Sequence, residues 1–228
     1  QMLEEYCCLI PLRAGSKGVR GKNLKLLSGL PLYQHTTDQA LRLNIDAYIS
    51  TDISELLETP PAGIRILSRP QELASDYTEM SAVIAHFIKS TASENKKIIL
   101  LQATSPLRND EDVLNAINLF KKSEFDTVLS VTKADQTVLK MGHLSGSRYL
   151  PLSNPEYCFT NRQQLPETYK PNGAVFVFSA SDFVLNSNRI PTGNLGAIEM
   201  PYERSIDLDN VCDFEIAERI LISQSDWN

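Results

Sequence analysis

The chain has 228 residues, 42% of them hydrophobic and 22% charged, with a formal net charge of −6. That is enough chain for one α/β domain with a full core, and it argues against a disordered segment. The acidic balance and the lack of any Lys/Arg block exclude a basic nucleic-acid-binding face, so no nucleic-acid partner is expected. No apolar run approaches the ~20 residues that span a bilayer, and no leader pattern is visible. No membrane partner is therefore expected, and the cytoplasm is the expected compartment. Cys7, Cys8, Cys158 and Cys212 form no CxxC pair and read as reduced, buried or part-buried thiols. With the histidines isolated, a zinc site is not expected.

In chain order, Tyr6–Leu12 (YCCLIPL) is a short apolar run that predicts a buried parallel strand. A Gly/Lys-rich loop follows, from Arg13 to Asn23. Leu32–Leu43 has helical spacing. Ala47–Ser50 reads as a second strand, Thr51–Asp52 as a turn and helix cap, and Ile64–Leu67 as a third strand. Met80, Val83, Ile84, Phe87 and Ile88 form one helical face. Lys97–Leu101 (KIILL) is the clearest central strand. Asp110–Phe120 has a helical apolar face and an acidic first turn, where the helix dipole favours negative charge. Thr127–Val131 is a strand. The stretch from about Thr132 to Pro171 breaks the alternation and is too long for a simple connection. Ala174–Phe178 returns to strand character, and Asp213–Ile222 predicts a closing helix.

Strand–helix alternation predicts an α/β fold: a Rossmann-like, three-layer arrangement with a mostly parallel sheet and helices on both faces. Residues 1–228 are taken as a single domain. Ligands in such sheets bind at the carboxyl ends of strands, so the loops after Leu12, Leu101 and Phe178 are the ones to inspect.

The loop after the first strand carries the strongest signal. Arg13, Lys17, Arg20 and Lys22 are four cations within ten residues, interleaved with Gly15, Gly18 and Gly21. Glycines let the backbone turn sharply, and successive backbone N–H groups can cradle an anion. Cations and N–H groups together suit a triphosphate. The spacing does not fit the Walker pattern, because Asn23 stands where Ser or Thr is needed, and it is not GxGxxG. After Leu101, a buried strand delivers Gln102, Thr104 and Ser105 to its carboxyl end. These neutral donors and acceptors suit the hydroxyl, amide or carboxylate groups of a sugar. Near the C-terminal end, SIDLD alternates: if extended, Asp207 and Asp209 share a face while Leu208 points into the core. Two hard oxygen ligands on one face suit Mg²⁺ bridging to phosphate. A competing reading makes Asp209 the cap of the closing helix.

RAGSKGVRGKN resembles the RxGSKGxxxKN signature of the sugar-nucleotide cytidylyltransferases. RPQELASD (Arg69–Asp76) resembles their RPxELAxD segment, LLQATSPLR (Leu100–Arg108) their LLQPTSPLR, and SIDLD their SIDID metal segment. NRQQLP followed by KPNGA (Asn161–Ala174) resembles the RxQLPxxxxxNGA stretch of the neuraminate and legionaminate branch. The chain is thus similar to the acylneuraminate cytidylyltransferases, with the nucleotidyltransferase fold.

The resemblance implies that Arg13 and Lys22 contact the triphosphate and act catalytically. It also implies that the backbone over Leu12, Ala14, Gly15 and Ser16 holds the cytosine, with Asn23 beside the nucleotide. Arg69 would reach the nucleotide and Thr78 the ribose, while Met80 departs from a small hydroxyl residue common in relatives. Arg162 matches an active-site arginine, whose guanidinium can bind a sugar carboxylate bidentately or stabilise phosphate charge. Lys140 is a candidate second cation near the sugar, alongside Gln102, Thr104 and Ser105. Asp207 and Asp209 would hold Mg²⁺.

The implied partners are CTP and an acidic nine-carbon sugar, N-acetylneuraminate first, with legionaminate, pseudaminate and KDO as alternatives. The irregular segment 136–170 resembles the protruding arm through which family members form homodimers. A non-catalytic nucleotide-binding module is the alternative of a different class; it would bind CTP without sugar-dependent release of pyrophosphate.

Overall fold

A computed structural model describes residues 3–16, 18–122 and 124–225; Lys17, counted above among the loop cations, lies outside them. The elements run β1 (Tyr6–Leu12), β2 (Leu26–Leu27), β3 (Leu30–Pro31), α1 (Leu32–Arg42), β4 (Ala47–Thr51), α2 (Ser54–Glu58), β5 (Arg65–Ser68) and α3 (Met80–Thr91). They continue with β6 (Lys97–Leu101), α4 (Asp110–Lys121), β7 (Thr127–Ala134), β8 (Gly142–Ser145), β9 (Arg148–Pro151), β10 (Thr168–Ser179), α5 (Ala180–Leu185), β11 (Leu195–Glu199) and α6 (Val211–Ser225).

Among the described residues, seven strands form one sheet in the order β11-β7-β10-β6-β1-β4-β5. All neighbours are parallel except β10, which runs antiparallel to both β6 and β7. β1 sits near the middle and is apolar on both sides, as a strand covered on both faces must be. Cys8, Ile10 and Leu12 pack with Ala40 of α1 and with Val113 and Ile117 of α4. Cys7 and Leu9 pack against Ile84, Phe87 and Ile88 of α3 and Phe183 of α5. These two clusters make the outer layers of the three-layer fold. A third cluster seats α6: Phe214 and Ala217 meet Val19, Leu27, Leu32, Leu107 and Leu208. α4 begins where the sequence supplies a reciprocal cap, Asn109 accepting from the Asp112 amide and Asp112 from the Asn109 amide.

Several expectations change. The antiparallel course of β10 carries the loop after Phe178 to the opposite edge of the sheet, away from the carboxyl ends of β1 and β6. The start of β10, around Asn172 and Gly173, comes to the site side instead. The stretch 132–171 is partly regular: β7 continues to Ala134, β10 begins at Thr168, and an antiparallel hairpin, β8–β9, lies between. The closing helix starts at Val211, and its cap is Asn210 rather than Asp209. Asn210 Oδ1 accepts from the Asp213 amide at 3.1 Å, and Asp213 accepts from the Asn210 amide at 2.8 Å. All four cysteines are free, but Cys212 is exposed rather than buried. No helix among the described residues is long and apolar enough to cross a membrane.

Arg108 holds the region beneath the site together. It is 5% exposed. Its guanidinium donates to Gln39 Oε1 at 2.7 Å, to the Ala174 carbonyl at 2.8 Å, to Thr36 Oγ1 at 3.1 Å and to the Gln102 carbonyl at 3.3 Å. One side chain thereby joins α1, the end of β6 and the middle of β10. Burial pulls its pKa down to about 10, with the nearby carboxylates opposing, so it stays charged at neutral pH. Removing it strands several buried acceptors. Arg108→Ala should lower the free energy of unfolding by about 3 kcal/mol, measured by urea denaturation.

Candidate active site

β1 and β6 are parallel neighbours, and the chain passes from β1 outward to β4 and β5 on one side and to β6 on the other. Such a switch point is where doubly wound sheets bind ligands. Between the loops leaving these two strands lies a cleft of about 290 Å³. The first loop lines it with Arg13, Ser16, Gly18, Lys22 and Asn23. The second supplies Gln102 and Thr104, and the segment before α6 supplies Asp207 and Asp209. Arg69 and Met80 close one side.

The first loop is pinned from behind. Buried Asn23 donates from Nδ2 to the Arg13 carbonyl at 3.0 Å, and the Ala14 amide donates to Asp52 Oδ1 at 2.8 Å. Glycine is required at position 18, because a Cβ there would sit 2.0 Å from the Asp209 carbonyl oxygen. The loop backbone therefore packs directly on the acidic segment, and two ends of the sequence meet without a side chain between them.

Both candidate phosphate-binding cations carry an acid partner. Lys22 Nζ lies 3.1 Å from Asp209 Oδ1, and the Arg13 guanidinium donates to Asp76. The roles of Asp52 and Asp76 were not read from the sequence, where Asp52 served only as a turn residue and Asp76 as part of a motif. The legible signal was position: Asp52 follows the second parallel strand, at the same edge as the first loop.

The acidic segment alternates as its residues require. The Leu208 side chain is fully buried and its amide donates to the Thr104 carbonyl at 2.8 Å. Asp207 and Asp209, on either side of it, face the cleft. Asp207 keeps part of its surface accessible, yet the cleft walls deprive its carboxylate of solvent. Desolvation raises its pKa above the ordinary value; a hydrogen bond with Thr104 opposes the rise, Asp209 adds to it, and Lys22 opposes it. No group of three or more His, Cys, Asp or Glu side chains arranged for a metal exists among the described residues. Two carboxylates beside a phosphate-sized cleft nonetheless fit Mg²⁺, which characteristically takes one or two protein carboxylates and completes its shell with phosphate oxygens and water.

The other candidates divide. Gln102 faces the cleft, and Gly173 approaches its amide closely: a Cβ at 173 would stand 3.7 Å from Nε2. Ser105 is buried and does not line the cleft. Arg69 lines it, but its guanidinium donates to Ser50 Oγ at 3.2 Å and the Ser50 carbonyl at 2.8 Å, tying it to the end of β4. Desolvation lowers its pKa. Thr78 lies outside the lining, in a turn where its hydroxyl meets Ser75 Oγ at 2.9 Å. Leu12, Ala14 and Gly15 form the backbone that leads into the loop. Arg162 and Lys140 are not in this cleft. Arg162 pairs with Asp135 at 3.3 Å, and Lys140 lines an apolar hollow with Tyr149, Cys158 and Phe159 on the excursion between β7 and β10.

This sheet, with a loop of cations facing an acidic segment across the switch point, has the fold of the nucleotidyltransferases. The solved structure of CMP:2-keto-3-deoxy-manno-octonic acid synthetase complexed with CTP superposes with a TM-score of 0.73 over 97% of this chain and 100% of that one, at 15% identity. The family model described as Cytidylyltransferase matches residues 7–148, and the chain belongs to that family. The N-acylneuraminate cytidylyltransferase of Streptococcus agalactiae is 32% identical over 214 residues, covering 91% of this chain and 51% of that protein. The chain thus spans about half the length of that relative. The pseudaminic acid cytidylyltransferase of Campylobacter jejuni is 25% identical over 218 residues, covering 92% of this chain and 94% of its own.

Two outcomes follow from this geometry. Because the folded state raises the pKa of Asp207, protonation there favours folding; its contribution is greatest at low pH and falls as pH rises through the raised value. Asp207→Asn should therefore raise the thermal midpoint at neutral pH, and the difference from wild type should shrink as pH falls through the raised value and vanish only well below about 4, followed by differential scanning fluorimetry. Gly18→Ala must push the loop off the Asp209 carbonyl. It should weaken nucleotide binding about 10-fold or more, an effect of about 1.4 kcal/mol, measured by equilibrium dialysis.

Proposed function

We propose that the chain transfers CMP from CTP to the anomeric hydroxyl of a nonulosonic acid, N-acetylneuraminate foremost, and releases pyrophosphate. The observation that carries this reading is the cleft itself. Arg13 and Lys22 oppose Asp207 and Asp209 across one switch-point opening, with the neutral Gln102 and Thr104 beside them. Cations suit a triphosphate, the carboxylate pair suits a divalent ion bound to it, and the neutral groups suit a polyol.

In this reading the cytosine rests on the backbone over Leu12–Ser16. Arg13 and Lys22 hold the phosphates, giving up their contacts with Asp76 and Asp209 as they do so. The anomeric oxygen forms a bond to the α-phosphorus while the bond from that phosphorus to the departing pyrophosphate breaks. The hydroxyl proton is taken up on the Asp209 side of the cleft. Such transfers depend chiefly on positioning and on charge stabilisation. Lys22 and Arg13 oppose the negative charge that grows on the leaving oxygens. Mg²⁺ held by Asp207 and Asp209 would neutralise part of the triphosphate charge.

The sugar-binding cation is supplied by a second copy of the chain. Met141, Leu144, Leu152 and Phe159 are large exposed apolar side chains on the excursion at 136–170, Phe159 at 92%. Burying them in a homodimer would bring Arg162, and with it Lys140, toward the partner's cleft. Pseudaminate is the second reading, favoured by the match to the Campylobacter jejuni protein over nearly its whole length; identity favours neuraminate.

Purified protein should release pyrophosphate only when CTP, Mg²⁺ and a nonulosonic acid are all present. A panel of neuraminate, legionaminate, pseudaminate and KDO names the sugar; CTP binding with no release for any of them would leave a nucleotide-binding module. Lys22→Ala should cut turnover about 100-fold with an unchanged circular dichroism melt. Sedimentation should give a dimer, and an active monomer would overturn the shared-site arrangement.

A further inference from the structure

Asn172 and Gly173 stand where β10 breaks register. Pro171 pairs with Val131, and pairing resumes only at Phe176 opposite Leu129. At this break the Asn172 side chain is buried, and both ends of its amide are engaged. Oδ1 accepts from the Ser130 hydroxyl at 2.5 Å and from the Ala174 amide at 3.1 Å. Nδ2 donates to Ser205 Oγ at 2.9 Å. The Ser205 hydroxyl in turn donates to the Pro201 carbonyl at 2.8 Å.

Ser205 opens the segment that ends in Asp207 and Asp209. That segment is anchored on both sides of Ser205's contact. Arg204 donates to both carboxylate oxygens of Asp112, at 3.0 and 2.8 Å, and the Leu208 amide donates to the Thr104 carbonyl at 2.8 Å. Neither Asn172 nor Ser205 lines the cleft.

We propose that Asn172 is a positioning residue: through Ser205 it fixes the backbone path that presents Asp207 and Asp209 as a pair, and so it sets how strongly a divalent cation supports nucleotide binding. This rests on the reading above that the pair holds Mg²⁺.

A carboxamide is what the place demands. One end accepts from an O–H and an N–H, and the other must donate to a hydroxyl whose own proton is committed to Pro201. A carboxylate accepts but cannot donate, and an aliphatic side chain does neither. Contacts made directly to a metal ligand typically change metal affinity about 10–100-fold; Asn172 acts at a further remove, through Ser205, so the lower end of that range applies. The register break gives this amide its reach from the sheet to the acidic segment, because a continuous ladder at 171–176 would keep β10 paired with β7.

The test measures binding of radiolabelled CTP by equilibrium dialysis, once in EDTA and once in excess Mg²⁺. The ratio of the two affinities is the coupling between metal and nucleotide. Asn172→Ala and Ser205→Ala should each lower that ratio about 10-fold while leaving the EDTA affinity unchanged. Their double variant should lose no more than either single one, because both cut the same contact. Ser205→Thr, which keeps the hydroxyl, should restore the ratio. If Asn172→Ala does not fold, Ser205→Ala decides alone. A wild-type ratio of one would sink the metal reading, and the proposal with it. A raised wild-type ratio that both alanine variants retain would overturn the role of Asn172 and leave the metal reading standing.

Discussion

The Asp209 carbonyl lies so close to Gly18 that even a methyl group would collide with it. This contact brings together segments almost two hundred residues apart, the cation-bearing loop after β1 and the acidic turn before α6. Everything else at the cleft follows from that closeness. It sets Lys22 within reach of Asp209, and it lets Val19 and Leu208 share one apolar cluster with α6. It also leaves the two carboxylates facing the same opening as the cations. The hydrophobic contact supplies the attraction, and the missing Cβ lets the backbones approach.

That arrangement stores electrostatic opposition. Asp207 is partly desolvated and has a like charge nearby, and both raise its pKa above the ordinary carboxylate value. Arg13 and Lys22 are each matched with an acid. These pairs are partly open to solvent and contribute little to stability. In the proposed function they are exchangeable, a phosphate oxygen taking the place of a carboxylate on either cation. Strain of this kind concentrates at functional sites and is offset by the surrounding core, here by the largely buried strands β1 and β6 and by the network around Arg108.

The strands with continuous apolar runs were legible from the sequence, and so were the helices with clear 3.6-residue faces. Tyr6–Leu12 and Lys97–Leu101 matched the structure residue for residue, and the Asp207–Leu208–Asp209 alternation is oriented as expected. The direction of β10 was not legible, because AVFVF reads the same in either direction and the apolar pattern of a strand carries no polarity. Leu195–Glu199 escaped notice because a five-residue edge strand with a glycine has little pattern to show. Arg108 and Asn172 were seen as letters in motifs. Their roles depend on partners 66 and 33 residues away, and such distances have no periodicity to betray them. Ser105 and Thr78 show the reverse: hydroxyl residues near a cleft in sequence that the backbone turns away from it.

The cations of the cleft lie on one side. Among the described residues that line it, Arg13, Lys22 and Arg69 stand toward β1 and β4, and the β6 side offers Gln102 and Thr104, both neutral. Neutral groups can recognise hydroxyls and amides, but a sugar carboxylate entering a partly desolvated cleft calls for a positive charge. Arg69 cannot readily supply it, since its guanidinium is engaged with Ser50. The cations proposed for the sugar, Arg162 and Lys140, lie on the excursion that also carries exposed Met141, Leu144 and Phe159. In the proposed function, one chain therefore separates the groups suited to the nucleotide from those suited to an acidic sugar. The same surface that would bury the apolar residues would also deliver the missing charge, so the acidic-sugar reading and the two-chain reading depend on each other.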